Sequence, residues 1–208
     1  MYVTFVAEIL TGLGYALSAI REAMLEVASR DERRVVIFNF GFHDLKEGCV
    51  EFPADLMGGS RSSGDCIEFF RSAFHQFLDF LDSFPAELKI FRTCNAGWMR
   101  WGQFGFGWPA SNDQVAIYSH HSVRTLNDVA IQAIRERQNN TKSLSVKVLD
   151  YYWPTLARPD NTAVDGIENR PGSHIVHPGI DTTRLLVQMQ VTMILRHFCS
   201  DFLDEMPR

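Results

Sequence analysis

His43 and Asp44 place an imidazole beside a carboxylate, directly after the apolar run Val35-Val36-Ile37-Phe38-Asn39-Phe40 and the turn residue Gly41. An imidazole titrates near neutral pH and can donate an N–H or take a proton. A run rich in β-branched residues reads as a buried strand. Ligands of open parallel sheets bind just beyond the carboxyl ends of such strands. The alternative is a turn with a solvated Asp and a His that only caps it. A second set lies in 158–179: Asp160, Asp165, Glu168, His174 and His177. The two histidines with a carboxylate could ligate a metal, or one could act as a base held by Asp165 or Asp160. Incidental histidines on a solvated loop are the plain alternative. A third set runs from Arg92 through Asn95 to Trp108 and carries Trp98 and Trp101 among four glycines. Rings with polar neighbours grip a sugar or an acyl chain, or they fold over the domain as a small satellite core. Without a Gly-Lys-Ser/Thr sequence, a phosphate cradle is disfavoured. His120 and His121 read as surface or capping residues at a helix start.

The elements that must position these groups alternate. Tyr2 to Val6 reads as a short strand. Leu13, Leu17, Ile20, Met24 and Val27 fall at helical spacing, so 11–29 reads as an amphipathic helix. Residues 33–40 form the strand before His43. A loop with Pro53, Gly58 and Gly59 covers 47–64. Ile67, Phe70, Phe74, Phe77 and Leu81 mark a helix ended by Pro85, with Asp65 and Glu68 as a capping box. Leu88 to Arg92 is the next strand. Val123, Leu126, Ala130 and Ile134 mark a helix, Leu144 to Tyr152 a strand, 154–181 a long polar loop, and Leu186, Met189 and Met193 a closing helix. Alternation of this kind predicts a parallel sheet covered by helices on both faces. The long loops after Phe40, Arg92 and Trp153 would then gather at one edge, which is the argument for a single site there.

Composition narrows the classes. The chain has 208 residues, 46% hydrophobic, enough for one domain with a sizeable core. A net charge of -5 disfavours a nucleic-acid partner. No stretch approaches the roughly 20 apolar residues that cross a bilayer, and the first residues show no signal peptide pattern. Compartment stays open. Cys49, Cys66, Cys94 and Cys199 are scattered without a CxxC pair and read as free, partly buried thiols. Asn139-Asn140-Thr141 is a formal glycosylation sequon of a kind that chance often produces. No cofactor is expected.

The motifs, in their order, resemble the SGNH (GDSL-type) hydrolase superfamily, in its PC-esterase branch. The matching pieces are Gly41-Phe42-His43-Asp44, Phe91-Arg92-Thr93, Val148-Leu149-Asp150-Tyr151-Tyr152 leading to Arg158-Pro159-Asp160, Asp165-Gly166-Ile167, and His177-Pro178-Gly179 before a final helix. They span roughly 35–195. The resemblance implies a three-layer α/β/α sandwich around a central parallel sheet, flavodoxin-like in layering. It implies action on ester bonds, often acetyl groups on glycans, or acyl transfer. It places Gly41 and His43 in the oxyanion region, with His43 standing where many relatives carry Asn. An imidazole donor there is worth about 3 kcal/mol at the transition state. It makes His177 the base, oriented by Asp165, with His174 as runner-up, although Glu168 stands where the family has His. Trp98, Trp101, Trp108, Asn95 and Arg92 would bind the substrate, a small-molecule or glycan ester.

The departure is the nucleophile. No Gly-Asp-Ser triplet occurs; Gly59-Ser60-Arg61 follows the wrong strand, and Ser18 and Ser29 are not on a strand-to-helix turn. The expectation is a single SGNH-like domain over 1–208, N-terminally incomplete, with its first strand missing and poor solubility as a result. An inactive relative that binds a glycan or lipid is the alternative. A metal-assisted hydrolase using His174, His177 and Asp165 is the third reading.

Overall fold

In the computed structural model of the chain, the described residues are 13–28, 34–41, 44–45, 63–96, 120–141, 143–158, 162–163, 174–178 and 180–199. Three strands, β1 (Val35–Phe38), β2 (Leu88–Arg92) and β3 (Val146–Leu149), form a parallel sheet in the order β1-β2-β3. Val35 lies opposite Leu88, and Phe91 lies between Phe38 and Val148. The central strand is the most buried, with its first four residues, Lys89 among them, out of solvent. Helix α1 (Leu13–Ala28) precedes β1, and α2 (Ser63–Ser83) and α3 (His120–Asn140) supply the crossovers that parallel strands require. The short α4 (Tyr152–Leu156) follows β3, and α5 (Ile180–Phe198) ends the described chain.

The two-residue period of β2 divides the core. Phe91, with Phe38 and Val146, joins Ile20 and Met24 of α1, Phe70, Phe74 and Leu78 of α2, and Leu126 and Ala130 of α3. Leu88 and Ile90, with Leu149 and Tyr151, join Leu186 of α5. The first cluster is rich in phenylalanine rings. Phe38 meets Phe77 edge-on at 5.1 Å, and Phe74 meets Phe91 edge-on at 5.5 Å, the arrangement that ring quadrupoles favour. Each fully buried Phe contributes roughly 1.5–3 kcal/mol of apolar transfer.

Several boundaries differ from the sequence reading. Helix α2 begins at Ser63, so Asp65 lies inside its first turn and does not cap it. Strand β3 is shorter than 144–152, because the Asp150 carboxylate accepts the Tyr152 N–H at 2.9 Å and turns the chain into α4. The stretch from Pro154 to Asp181 is not all loop. It holds β4 (Thr162–Ala163) and β5 (His174–Pro178), an antiparallel pair outside the main sheet. The cysteines are not all free: Cys94 and Cys199 are thiols, whereas Cys66 is disulfide-bonded. The expected strand at Tyr2–Val6 and most of the loop at 47–64 lie outside the described residues. Among the described helices none is long and apolar enough to cross a membrane.

Candidate functional site

The three parallel strands deliver three chain segments to one edge: Asn39-Phe40-Gly41 after β1, Thr93 to Ala96 after β2, and Asp150 to Tyr152 after β3. Buried backbone groups beyond a strand have lost their ladder partners and must find others. Here side chains from neighbouring elements supply them. Asn127, on the buried face of α3, accepts the Cys94 N–H at 2.8 Å and donates to the Cys94 carbonyl at 3.1 Å. The Thr155 hydroxyl accepts the Ala96 N–H at 2.8 Å. The Thr93 hydroxyl accepts the N–H groups of Tyr151 and Tyr152 at 2.8 and 3.1 Å and donates to Asp150 at 3.2 Å.

Gly41 closes the first segment. Its φ of +146° is one that L side chains rarely adopt, and a Cβ there would lie 2.8 Å from Cys94 Sγ. That sulfur is held: its S–H donates to the Phe40 carbonyl at 3.2 Å, and it accepts from Asn39 Nδ2 at 3.4 Å. The same Asn39 amide donates to the Arg92 carbonyl at 2.7 Å. Gly41 is therefore the point where the chain leaving β1 passes tightly against the chain leaving β2.

A cavity of about 110 Å³ opens beside these segments, lined by Thr93, Arg124, Asn127, Asp128, Ile131, Asp150, Tyr152 and Trp153. It is smaller than the ~300–1,000 Å³ of pockets that enclose drug-sized ligands, so it accepts only a small group or the edge of a larger molecule. Trp153 is 52% exposed, and the Arg124 guanidinium stands 5.3 Å over its ring. Arg124 also pairs with Asp128 at 3.6 Å. Burial pushes the Tyr152 phenol above its usual value. The charge of Arg124 opposes this, and Asp128 and Asp150 reinforce it. Its hydroxyl donates to the His120 carbonyl at 3.0 Å. Tyr151 is also raised, by burial first, with Arg92 opposing through its charge and a hydrogen bond. An exposed indole beside carboxylates, an amide and a guanidinium suits a polar, hydroxyl-bearing molecule.

Gly41 and Asn95 follow the ends of β1 and β2 at this edge, and Arg92 is the last residue of β2. Arg92 turns its guanidinium over the Tyr151 ring at 5.1 Å. His174 and His177 lie on β5, where the backbone pairs His174 with Ala163 and Pro178 with Thr162. His43, Asp165, Trp98, Trp101 and Trp108 lie outside the described residues. Among the described residues, no three of His, Cys, Asp and Glu gather closely enough to hold a metal ion.

The sequence reading passed over Asn127, Arg124, Asp128 and Trp153. One signal was present: Asn127 interrupts the apolar stripe of Val123, Leu126, Ala130 and Ile134, and a polar residue on a buried helix face needs a partner.

Compared with protein-family models, with curated proteins and with solved structures, the chain has no match.

Proposed function

We propose that the chain is an SGNH-like carboxyl-ester hydrolase or O-acyl transferase acting on a glycan or lipid ester. It would be built as a three-layer α/β/α sandwich whose reacting edge is the carboxyl edge of the sheet. The observation that carries the reading is Gly41. It is buried against Cys94 immediately beyond β1, at the head of Gly41-Phe42-His43-Asp44, where the two other strand-end segments also arrive. In this reading His43 and the Gly41 region stabilise the oxyanion. His177 takes the proton of the nucleophile, with Asp165 fixing its tautomer and His174 as the second candidate base. Acyl transfer would run through a Ser ester, with Arg92, Asn95, Trp98, Trp101 and Trp108 holding the substrate.

The exposed Trp153 ring over a small polar cavity favours a second reading, in which the same edge binds a glycan or lipid without cleaving it. Glu168 in the position of the family's base points the same way.

One experiment separates the two. The product of the complete natural gene is treated with a fluorophosphonate probe and assayed on acetylated oligosaccharides. The hydrolase reading expects a labelled Ser and turnover that falls at least about a hundredfold in His177→Ala. Absent labelling, with oligosaccharide binding that Trp153→Ala abolishes, establishes the binding reading. If neither labelling nor binding occurs, both are overturned.

A further inference from the structure

Two features outside the cavity lining point to the same chemical surroundings. Cys66, buried in the first turns of α2, is disulfide-bonded. Disulfides persist in secretory and extracellular compartments and are rare where glutathione and thioredoxin keep thiols reduced. Asn139, in the last turn of α3, is exposed, as is Asn140, and Thr141 follows. A sequon alone says little, because the triplet arises by chance. A sequon whose Asn folds onto an open surface, in a chain that also carries a disulfide, is a different observation. Both modifications are made in one place, the oxidising lumen of the secretory pathway.

We propose that Asn139 carries an N-linked glycan and that the chain folds in that lumen. Transfer would occur on the entering chain, before α3 winds. The Asn139 side-chain nitrogen loses a proton and bonds the anomeric carbon of a lipid-pyrophosphate-linked oligosaccharide. The carbon–oxygen bond to the pyrophosphate breaks, and the lipid pyrophosphate leaves. The Cys66 thiol and its partner thiol give two electrons and two protons to a disulfide oxidoreductase.

The folded structure accommodates the product. The Thr141 hydroxyl and N–H both bond the Arg137 carbonyl, at 2.9 and 2.8 Å, which closes the end of α3 beneath the sequon and leaves Asn139 outside. Arg135 and Glu136 are exposed beside it. The placement also protects the candidate site. Helix α3 starts at the carboxyl edge, where the His120 carbonyl meets Tyr152, and ends at the opposite edge, where Gln138 donates to the Val146 carbonyl at 3.3 Å. Its 21 residues span roughly 30 Å. A glycan on Asn139 therefore extends away from the cavity.

The test uses protein isolated from the cells that naturally express it, divided into two samples. One is digested with peptide-N-glycosidase in heavy-oxygen water and its peptides are weighed. The other is alkylated before and after reduction. The proposal expects a discrete mass loss on deglycosylation and Asp bearing heavy oxygen at position 139. It also expects a Cys66 thiol that alkylates only after reduction. In the same cells Asn139→Gln and Thr141→Ala lose the mass shift, and Thr141→Ser retains it. An unmodified Asn139 peptide overturns the glycan, and a Cys66 that alkylates without reduction overturns the compartment.

Discussion

Replacing Gly41 by Ala tests the tight passage between the first two strand ends. The φ of +146° places any L residue in a strained region, at about 1–3 kcal/mol. The new Cβ would also meet Cys94 Sγ at 2.8 Å. That sulfur cannot swing away freely, because Asn39 and the Phe40 carbonyl hold it, so overpacking adds about 1–3 kcal/mol. The lower entropy of an unfolded Ala chain returns about 0.4–1 kcal/mol. The net expectation is a loss of about 3 kcal/mol, which for a chain of 208 residues is a fall in Tm of roughly 6–12 °C. Urea unfolding of wild type, Gly41→Ala, Cys94→Ala and the double variant separates the contributions. In the Cys94→Ala background the steric part vanishes and about 1–2 kcal/mol of backbone strain remains. An equal loss in both backgrounds would refute the steric argument. A loss below about 0.5 kcal/mol in wild type, the range of ordinary surface changes, would refute the geometry itself.

Two further outcomes follow from the same edge and from the core. Asn127→Ala leaves the Cys94 N–H and carbonyl without the Asn127 partner and lowers stability by about 2–5 kcal/mol in urea unfolding. Lys89 is buried, and burial lowers its pKa from 10.5 despite the opposing charge of Asp82. Between the depressed folded value and 10.5 the unfolded chain binds more protons, so stability rises with pH through that window. Tyr151 and Tyr152, raised above 10.0, act in the opposite sense: their contribution is complete below that value and is lost as pH climbs past it. Lys89→Met removes the rise and leaves the alkaline loss, and melts across an alkaline pH series read both.

The alternating order of elements was legible because each described strand of the main sheet carries its own largely apolar run and each main helix its own apolar stripe, although only β2 is buried along most of its length, and β1, expected to be buried, leaves Ile37 exposed. Leu88–Arg92 could be read to the residue, since Pro85 ends the helix before it and Arg92 breaks the apolar run. β3 was read too long because an apolar sequence continues through Tyr152, while the turn is made by the side chain of Asp150. β4 and β5 escaped because Thr162-Ala163 and Ile175-Val176 are too short to establish a period of two. At the site, Gly41 stood out because it ends the apolar run and leads into His43 and Asp44; its φ and its contact with Cys94 come from the fold. Arg124 and Trp153 did not, because helical surface residues acquire meaning only when a partner distant in sequence is brought beside them. Asn127 serves Cys94 across 33 residues, a distance no local window spans.

Thr93 belongs to the chain leaving β2, yet its oxygen holds two amides of the corner after β3, 58 and 59 residues further on. That corner serves its Tyr152 amide from its own Asp150, but gains the bonds to Thr93 only once the two strands are side by side. Its hinge is thus borrowed, and opening it locally means disturbing the pairing of the sheet beneath it. Mobility at this part of the rim is coupled to the least yielding part of the molecule, so a guest arriving at Trp153 meets a wall already set in place.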